Sequence, residues 1–137
     1  MGVSLYATNS KYSFEMGYGG FYNLRKNIAY AVDVELGDIY ERMLECHSRK
    51  DYDWYCSLVN KMVEEKRLDG SVIDFLFQSD AGGAVEYKVC KKVYDVIKDI
   101  DFGDKGFQYV SYRDNDYEKL KLFLLECYRY HRKMRWS

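Results

Sequence analysis

Val3-Ser4-Leu5-Tyr6-Ala7-Thr8-Asn9-Ser10-Lys11-Tyr12-Ser13-Phe14-Glu15-Met16-Gly17-Tyr18-Gly19-Gly20-Phe21-Tyr22-Asn23-Leu24-Arg25-Lys26 contains the change of hydrophobic period that decides the fold class. Residues 3–7 and 12–16 are compatible with strands, the second alternating apolar and polar, and Thr8-Asn9-Ser10-Lys11 supplies turn chemistry between them. From Phe21 onward the spacing becomes helical. Phe21, Leu24, Ile28 and Val32 share one face, with Arg25 and Lys26 elsewhere around the turn. A two-stranded hairpin is marginal by itself. It needs helices beneath it or a third strand, for which Phe107-Gln108-Tyr109-Val110-Ser111-Tyr112 is the candidate.

Helical stripes continue through most of the remaining chain. One runs Leu36, Ile39, Tyr40, Met43, Leu44, His47; the next runs Tyr52, Tyr55, Cys56, Val59, Met62, Val63 behind a cap expected at Asp51. Ser71 with Asp74 has capping-box spacing and predicts a short helix over 72–77. A helix is expected from about Ala84 to Lys98, and Asn115 with Glu118 opens a long last helix carrying Leu120, Phe123, Leu124, Cys127, His131 and Met134. The sequence therefore predicts an α+β, helix-dominated single domain over residues 1–137. Its small antiparallel β element is the N-terminal hairpin, with a third strand near 107–112.

A chain of 137 residues, 47% of them hydrophobic, is long enough to bury a core. Fifteen tyrosines bring rings whose hydroxyls need water or a partner. Because 21 basic residues face 22 acidic ones, charge balance provides no global field toward a polyanion, so neither nucleic acid nor an anionic membrane is implied. No apolar run reaches membrane-spanning length, and Met1-Gly2-Val3-Ser4-Leu5-Tyr6 has no basic n-region followed by an apolar h-region, so a cytoplasmic protein is expected. Tyr6 stands where a myristoylation signal wants Ser or Thr. Cys46, Cys56, Cys90 and Cys127 form no CxxC pair and read as small hydrophobes on helix faces.

Three places could carry chemistry. At Gly17-Tyr18-Gly19-Gly20 a glycine-rich turn enters a helix, whose first amides and dipole favour an anion. Arg25 and Lys26 add charge, and Tyr18, Phe21 or Tyr22 could stack on a base. The pattern fits neither GxGxxG nor the P-loop, and glycines that simply permit a tight turn between strand and helix account for it more readily. Ser79-Asp80-Ala81-Gly82-Gly83 is a second glycine loop, where Asp80 either binds a ribose hydroxyl or caps the following helix. The ending Tyr128-Arg129-Tyr130-His131-Arg132-Lys133-Met134-Arg135-Trp136 concentrates cations and rings. Arg129, Arg132 and Arg135 with Tyr130 or Trp136 read as a clamp for phosphate or nucleic acid, or as basic residues favoured by the helix dipole alone. The acidic loop beginning at Asp99 lacks the calcium-loop glutamate, since its twelfth position is Val110. His47 and His131 both sit on apolar stripes. No catalytic set, metal motif or cofactor motif is read from the chain.

The opening Met1-Gly2-Val3-Ser4-Leu5-Tyr6-Ala7, the run Gly17-Tyr18-Gly19-Gly20-Phe21 with Leu24-Arg25, and the ending Arg135-Trp136-Ser137 resemble small uncharacterised proteins of Gram-positive bacteria and their phages. Phe77-Gln78-Ser79-Asp80-Ala81-Gly82-Gly83 with Cys90 is similar to their HSDCDGE…C signature, with Gln78 in place of the histidine and Ala81 in place of the cysteine. The resemblance implies a phage or prophage accessory protein that acts by binding. The expectation is a non-enzymatic binder that counters a host defence by sequestering a small nucleotide signal. Its pocket would draw on Tyr18, Gly19, Gly20, Tyr22, Arg25, Lys26, Asp80, Arg129, Arg132, Arg135 and Trp136. An inhibitor of a host defence protein and a small nucleotide-processing enzyme are the alternatives, and a homo-oligomer is compatible with either kind of binding.

Overall fold

The hairpin forms as expected in a computed structural model, which describes residues 2–10, 13–65, 67–79, 81–99 and 114–137. Strands β1 (Gly2–Ala7) and β2 (Ser13–Gly17) pair antiparallel with Leu5 opposite Phe14. Along β1 the period of two is strict. Val3, Leu5 and Ala7 are buried while Ser4 and Tyr6 take the other face. The turn after Ala7 places Asn9 at φ 59°, a left-handed conformation that asparagine tolerates better than most residues.

Helix α1 (Tyr18–Val32) follows β2 directly, three residues earlier than the apolar stripe alone suggests. One extended residue, Asp33, separates it from α2 (Val34–Leu44), and the Asp33 carboxylate accepts the Leu36 amide at 3.2 Å as an N-cap. Arg67 closes this corner from outside. Its Nε and Nη2 reach the two Asp33 oxygens at 2.9 and 3.0 Å while Nη1 reaches Glu35. The two helices approach closely because Gly37 has no side chain: a Cβ there would lie 2.3 Å from the Tyr30 ring. That ring is anchored by its hydroxyl, which donates to Asp38 and Glu41.

Helix α3 (Arg49–Glu64) is capped by Ser48, whose hydroxyl accepts the Asp51 amide, so the cap lies three residues before the expected Asp51. Helix α4 (Gly70–Phe77) takes Asp69 as its cap in place of Ser71. The shorter hydrophobic stripe survives both corrections, with Val59 and Met62 buried from α3 and Val72, Phe75 and Leu76 from α4.

The expected helix from Ala84 is divided. Residues Gly83–Val85 form strand β3, and α5 runs only from Tyr87 to Ile97. Likewise α6 (Asp114–Arg129) ends well before Met134. Its end has the hydrogen bonds of a Schellman turn: the Arg132 amide donates to Cys127 O at 2.8 Å and the His131 amide to Tyr128 O at 3.1 Å, with His131 at φ 53°. Beyond it Met134–Trp136 becomes strand β4, with Met134 and Trp136 buried and Arg135 exposed between them. His131 is therefore exposed at the turn, not on the helix stripe. Exposed His47 also lies beyond the end of α2.

The four strands form an antiparallel sheet in the order β2-β1-β4-β3. Thus the chain's last strand lies between its first and its third. The expected α+β, helix-dominated architecture holds, but the strands that extend the hairpin are residues 83–85 and 134–136; the segment 107–112 lies outside the described residues. Side chains from the sheet and from helices α1, α4 and α6 meet in one apolar cluster that includes Leu5, Phe21, Ile28, Phe75, Leu124 and Trp136.

Trp136 shows how tight the junction is. A Cβ at Gly83 would lie 2.3 Å from the indole Cζ2 and 2.7 Å from Gln78 Oε1. Gly83→Ala and Gly37→Ala are each expected to lower unfolding free energy by about 1–3 kcal/mol, because an added methyl must displace an anchored ring. Gly20 faces open space within α1, so Gly20→Ala should stabilise by about 0.5–1 kcal/mol. Urea denaturation of the three variants checks both signs, and an unaltered midpoint for Gly83→Ala would contradict the seating of Trp136.

Candidate functional site

Arg25 reaches inward from the middle of α1 and is only 2% exposed. Its Nη1 donates to the carbonyls of Phe75 at 3.2 Å and Gln78 at 2.7 Å, two acceptors left by the end of α4. The guanidinium stacks 4.4 Å from the Phe21 ring centroid and lies 5.9 Å from that of Trp136. Burial pushes its pKa down, while the neighbouring Tyr40 hydroxyl opposes that shift. A guanidinium only donates, so toward Arg25 the Tyr40 oxygen can act only as an acceptor. Burial raises the Tyr40 pKa despite Arg25, and the phenol remains protonated near neutral pH.

Beside Arg25 lies a hollow of about 170 Å³. Tyr22, Tyr40 and Phe77 supply an aromatic wall: Tyr22 and Tyr40 stack with centroids 5.5 Å apart and planes at 27°, and Phe77 meets Tyr40 edge-on at 5.4 Å. Leu44 and Tyr52, 64% and 44% exposed, bring the lining out to the surface. Gln78 also lines the hollow, but its amide is held by Ala84, accepting from the backbone N–H at 2.9 Å and donating to the carbonyl at 2.8 Å. The arrangement offers flat apolar faces and a phenolic donor backed by a buried cation.

The structure brings together Tyr22, Arg25 and Trp136 from the expected set, along with the Gln78-Ser79 end of the second glycine loop. Trp136 itself is no open stacking platform. It is 1% exposed, and its Nε1–H donates to Ser79 O at 2.8 Å. Burying an indole this completely while satisfying its N–H makes it a packing anchor. Lys26 points toward α2, with Nζ 3.3 Å from Glu41 Oε1 and 5.5 Å from the Tyr22 ring centroid. Gly19 and Gly20 fall in the first turn of α1, as does the backbone of Tyr18. Asp80 lies outside the described residues.

The tail arginines do not join this hollow. Arg132 holds the hairpin turn instead, donating from Nη1 to the carbonyls of Thr8 and Asn9. Arg129 is exposed and pairs with Glu126 at 3.7 Å. Arg135 is exposed because the sheet alternation that buries Met134 and Trp136 turns the residue between them outward. The expectation of one basic clamp at the C-terminus is corrected accordingly: a helix would have grouped these side chains, whereas a turn followed by a strand disperses them.

Tyr40, Tyr52 and Phe77 complete the hollow and were not singled out from the sequence. Tyr40 and Tyr52 were legible only as tyrosines within otherwise apolar stripes of consecutive helices. Among the cysteines, Cys90 and Cys127 are buried and Cys46 and Cys56 half-buried, all with free thiols. The Cys90 thiol is pushed up by its hydrogen bond to Cys127 and by burial, in keeping with a packed, unreactive side chain. Among the described residues no helix is long and apolar enough to cross a membrane, and no cluster of three or more His, Cys, Asp or Glu side chains suits a metal ion.

The contrast between buried and exposed arginines is measurable. Arg25→Ala should cost about 2–5 kcal/mol of unfolding free energy, since it removes the donor from two carbonyls at the end of α4 and empties a packed space. Arg129→Ala and Arg135→Ala should stay within about 0.5 kcal/mol of the parent. Equal effects from all three in chemical denaturation would deny Arg25 its structural role. Compared with family models, with curated proteins and with solved structures, the chain gives no match.

Proposed function

We propose that this domain is a non-enzymatic binding protein that holds a small, planar, anion-bearing ligand of nucleotide type in the hollow beside Arg25. The observation that carries the reading is the preformed aromatic wall of Tyr22, Tyr40 and Phe77, with a buried guanidinium behind the Tyr40 hydroxyl. An aromatic base gains stacking energy against such a wall, and a carbonyl or ring nitrogen of the base accepts from Tyr40. At about 170 Å³ the space is smaller than a typical drug-sized pocket. It suits one base, with sugar and phosphate extending past Leu44 and Tyr52 into solvent.

Rings, apolar side chains and hydrogen-bond donors form a set that holds a ligand, hence a reading of binding without turnover. The resemblance to phage and prophage proteins suggests a purpose for it: removal of a small nucleotide signal used by a host defence. A cytoplasmic location follows from the same reading. The second reading is inhibition of a host defence protein by surface contact. It is favoured by Trp54, 60% exposed on α3, because exposed tryptophans are frequent anchors of protein interfaces.

A thermal-shift series with mononucleotides and cyclic dinucleotides tests the first reading. A bound ligand at about a hundred times its Kd should raise Tm by about 8 °C and be recovered unaltered after denaturation. Tyr52→Ala removes the exposed ring at the mouth of the hollow, past which sugar and phosphate run, and should weaken binding measurably without lowering Tm of the free protein. Undiminished stabilisation in Tyr52→Ala would remove this site, altered ligand would indicate an enzyme, and a lack of any shift would leave the surface reading to be tested through Trp54→Ala.

A further inference from the structure

A second surface shares no residue with the hollow. The segment from Ala84 to Lys88 runs beside the returning tail: Ala84 pairs with Arg135 and Val85 with Met134 in the β3–β4 ladder. Next along, Lys133 Nζ stands 3.1 Å from Glu86 Oε1. Then the His131 ring stacks on Tyr87, with centroids 4.5 Å apart and planes at 19°. Tyr128 places a third ring 6.3 Å from Tyr87. The strip therefore extends over roughly 10 Å of strand-like chain plus one helical turn of about 5 Å.

Cations interleave with these rings. Lys88 Nζ lies 5.9 Å from the Tyr87 centroid, and Lys91 Nζ is 5.9 Å from that of Tyr128. Lys133, Lys91 and Arg129 each have a carboxylate partner in Glu86, Asp95 and Glu126. Lys88 and Arg135 are exposed and have no carboxylate partner among the described residues, which leaves the strip with an excess of positive charge. His131 adds a further indication. It occupies the left-handed position that most often takes glycine at a helix end, yet here the position carries an exposed ring stacked on a tyrosine.

We infer that this strip binds single-stranded nucleic acid, with bases stacking on Tyr128 and the His131–Tyr87 pair and phosphates held by Lys88 and Arg135. Rings displayed together with cations favour a strand whose bases are unpaired, because a duplex keeps its base faces inside the stack. Overall charge balance does not oppose this, since only the field at the strip acts over a Debye length of about 10 Å. The number of free cations limits the affinity and sets its salt dependence. With about two or three phosphates neutralised, affinity should fall about tenfold between roughly 50 and roughly 200 mM salt.

Fluorescence anisotropy with labelled oligothymidylate, oligouridylate and a duplex of equal length tests the inference. Both single strands are expected to bind at the lower salt and to weaken as stated, and any preference between them identifies DNA or RNA as the better ligand. The double variant Lys88→Glu, Arg135→Glu should weaken binding about fivefold or more while retaining its far-ultraviolet dichroism. Tyr128→Ala, at a half-exposed position, should weaken it separately and supplies the readout if the charge variant fails to fold. Absence of binding at the lower salt, equal binding of the duplex, or unchanged affinity in folded variants would each overturn the inference.

Discussion

Trp136 seated over Gly83 is the contact through which the two ends of this chain are joined. The indole packs against Phe21 of α1 at 5.7 Å and Phe75 of α4 at 5.8 Å, and its N–H is satisfied by Ser79 O. Its strand lies between β1 and β3, so the same three residues bond to the start of the chain and to its middle. A side chain at residue 83 would occupy the indole's space. The small sheet can therefore have its fourth strand only because that position carries no Cβ.

Arg25 extends this junction. Its side chain reaches from α1 to the end of α4 and donates to two carbonyls there, of which that of Phe75 would otherwise be a buried acceptor without this donor. A buried cation is costly to desolvate, and here the cost is offset by stacking on Phe21, by the backbone acceptors and by the Tyr40 oxygen. The hollow beside it is a by-product of that arrangement in the sense that its polar element is already committed to the fold. What it presents to a ligand is the Tyr40 hydroxyl and the surrounding rings. Binding there would use structural rigidity that folding has already established.

The tail illustrates how one run of residues serves several purposes once it leaves the helix. Arg132 locks the hairpin turn, Trp136 fills the core, and Arg135 faces solvent with Lys88 on the adjoining segment. In sequence these look like a single basic aromatic patch. In space they separate into a clamp on the fold, a core anchor and a surface strip. The two surfaces proposed for binding consequently make different demands, stacking within a hollow in one case and stacking combined with phosphate neutralisation in the other.

The hairpin, the positions of most helices and the apolar faces of α1, α2 and α6 were legible in the sequence because period and turn chemistry are local properties. Arg25 and Tyr22 were singled out through their place after the glycine run, and both line the hollow. By contrast, β3 and β4 were hidden, since three-residue strands carry too little periodicity to compete with the helical spacing of Val85, Val89 and Val93 or of Cys127, His131 and Met134. Caps shifted by two or three residues for a related reason: Ser48 and Asp69 were as suitable chemically as Asp51 and Ser71, and packing chose between them. Sequence alone thus determined the helix-dominated α+β class and the amphipathic faces. Only tertiary structure decided that Trp136 is core, that the arginines part company and that Tyr40 and Tyr52 line one hollow, because each depends on contacts between segments far apart in the chain, whose energies no local pattern records.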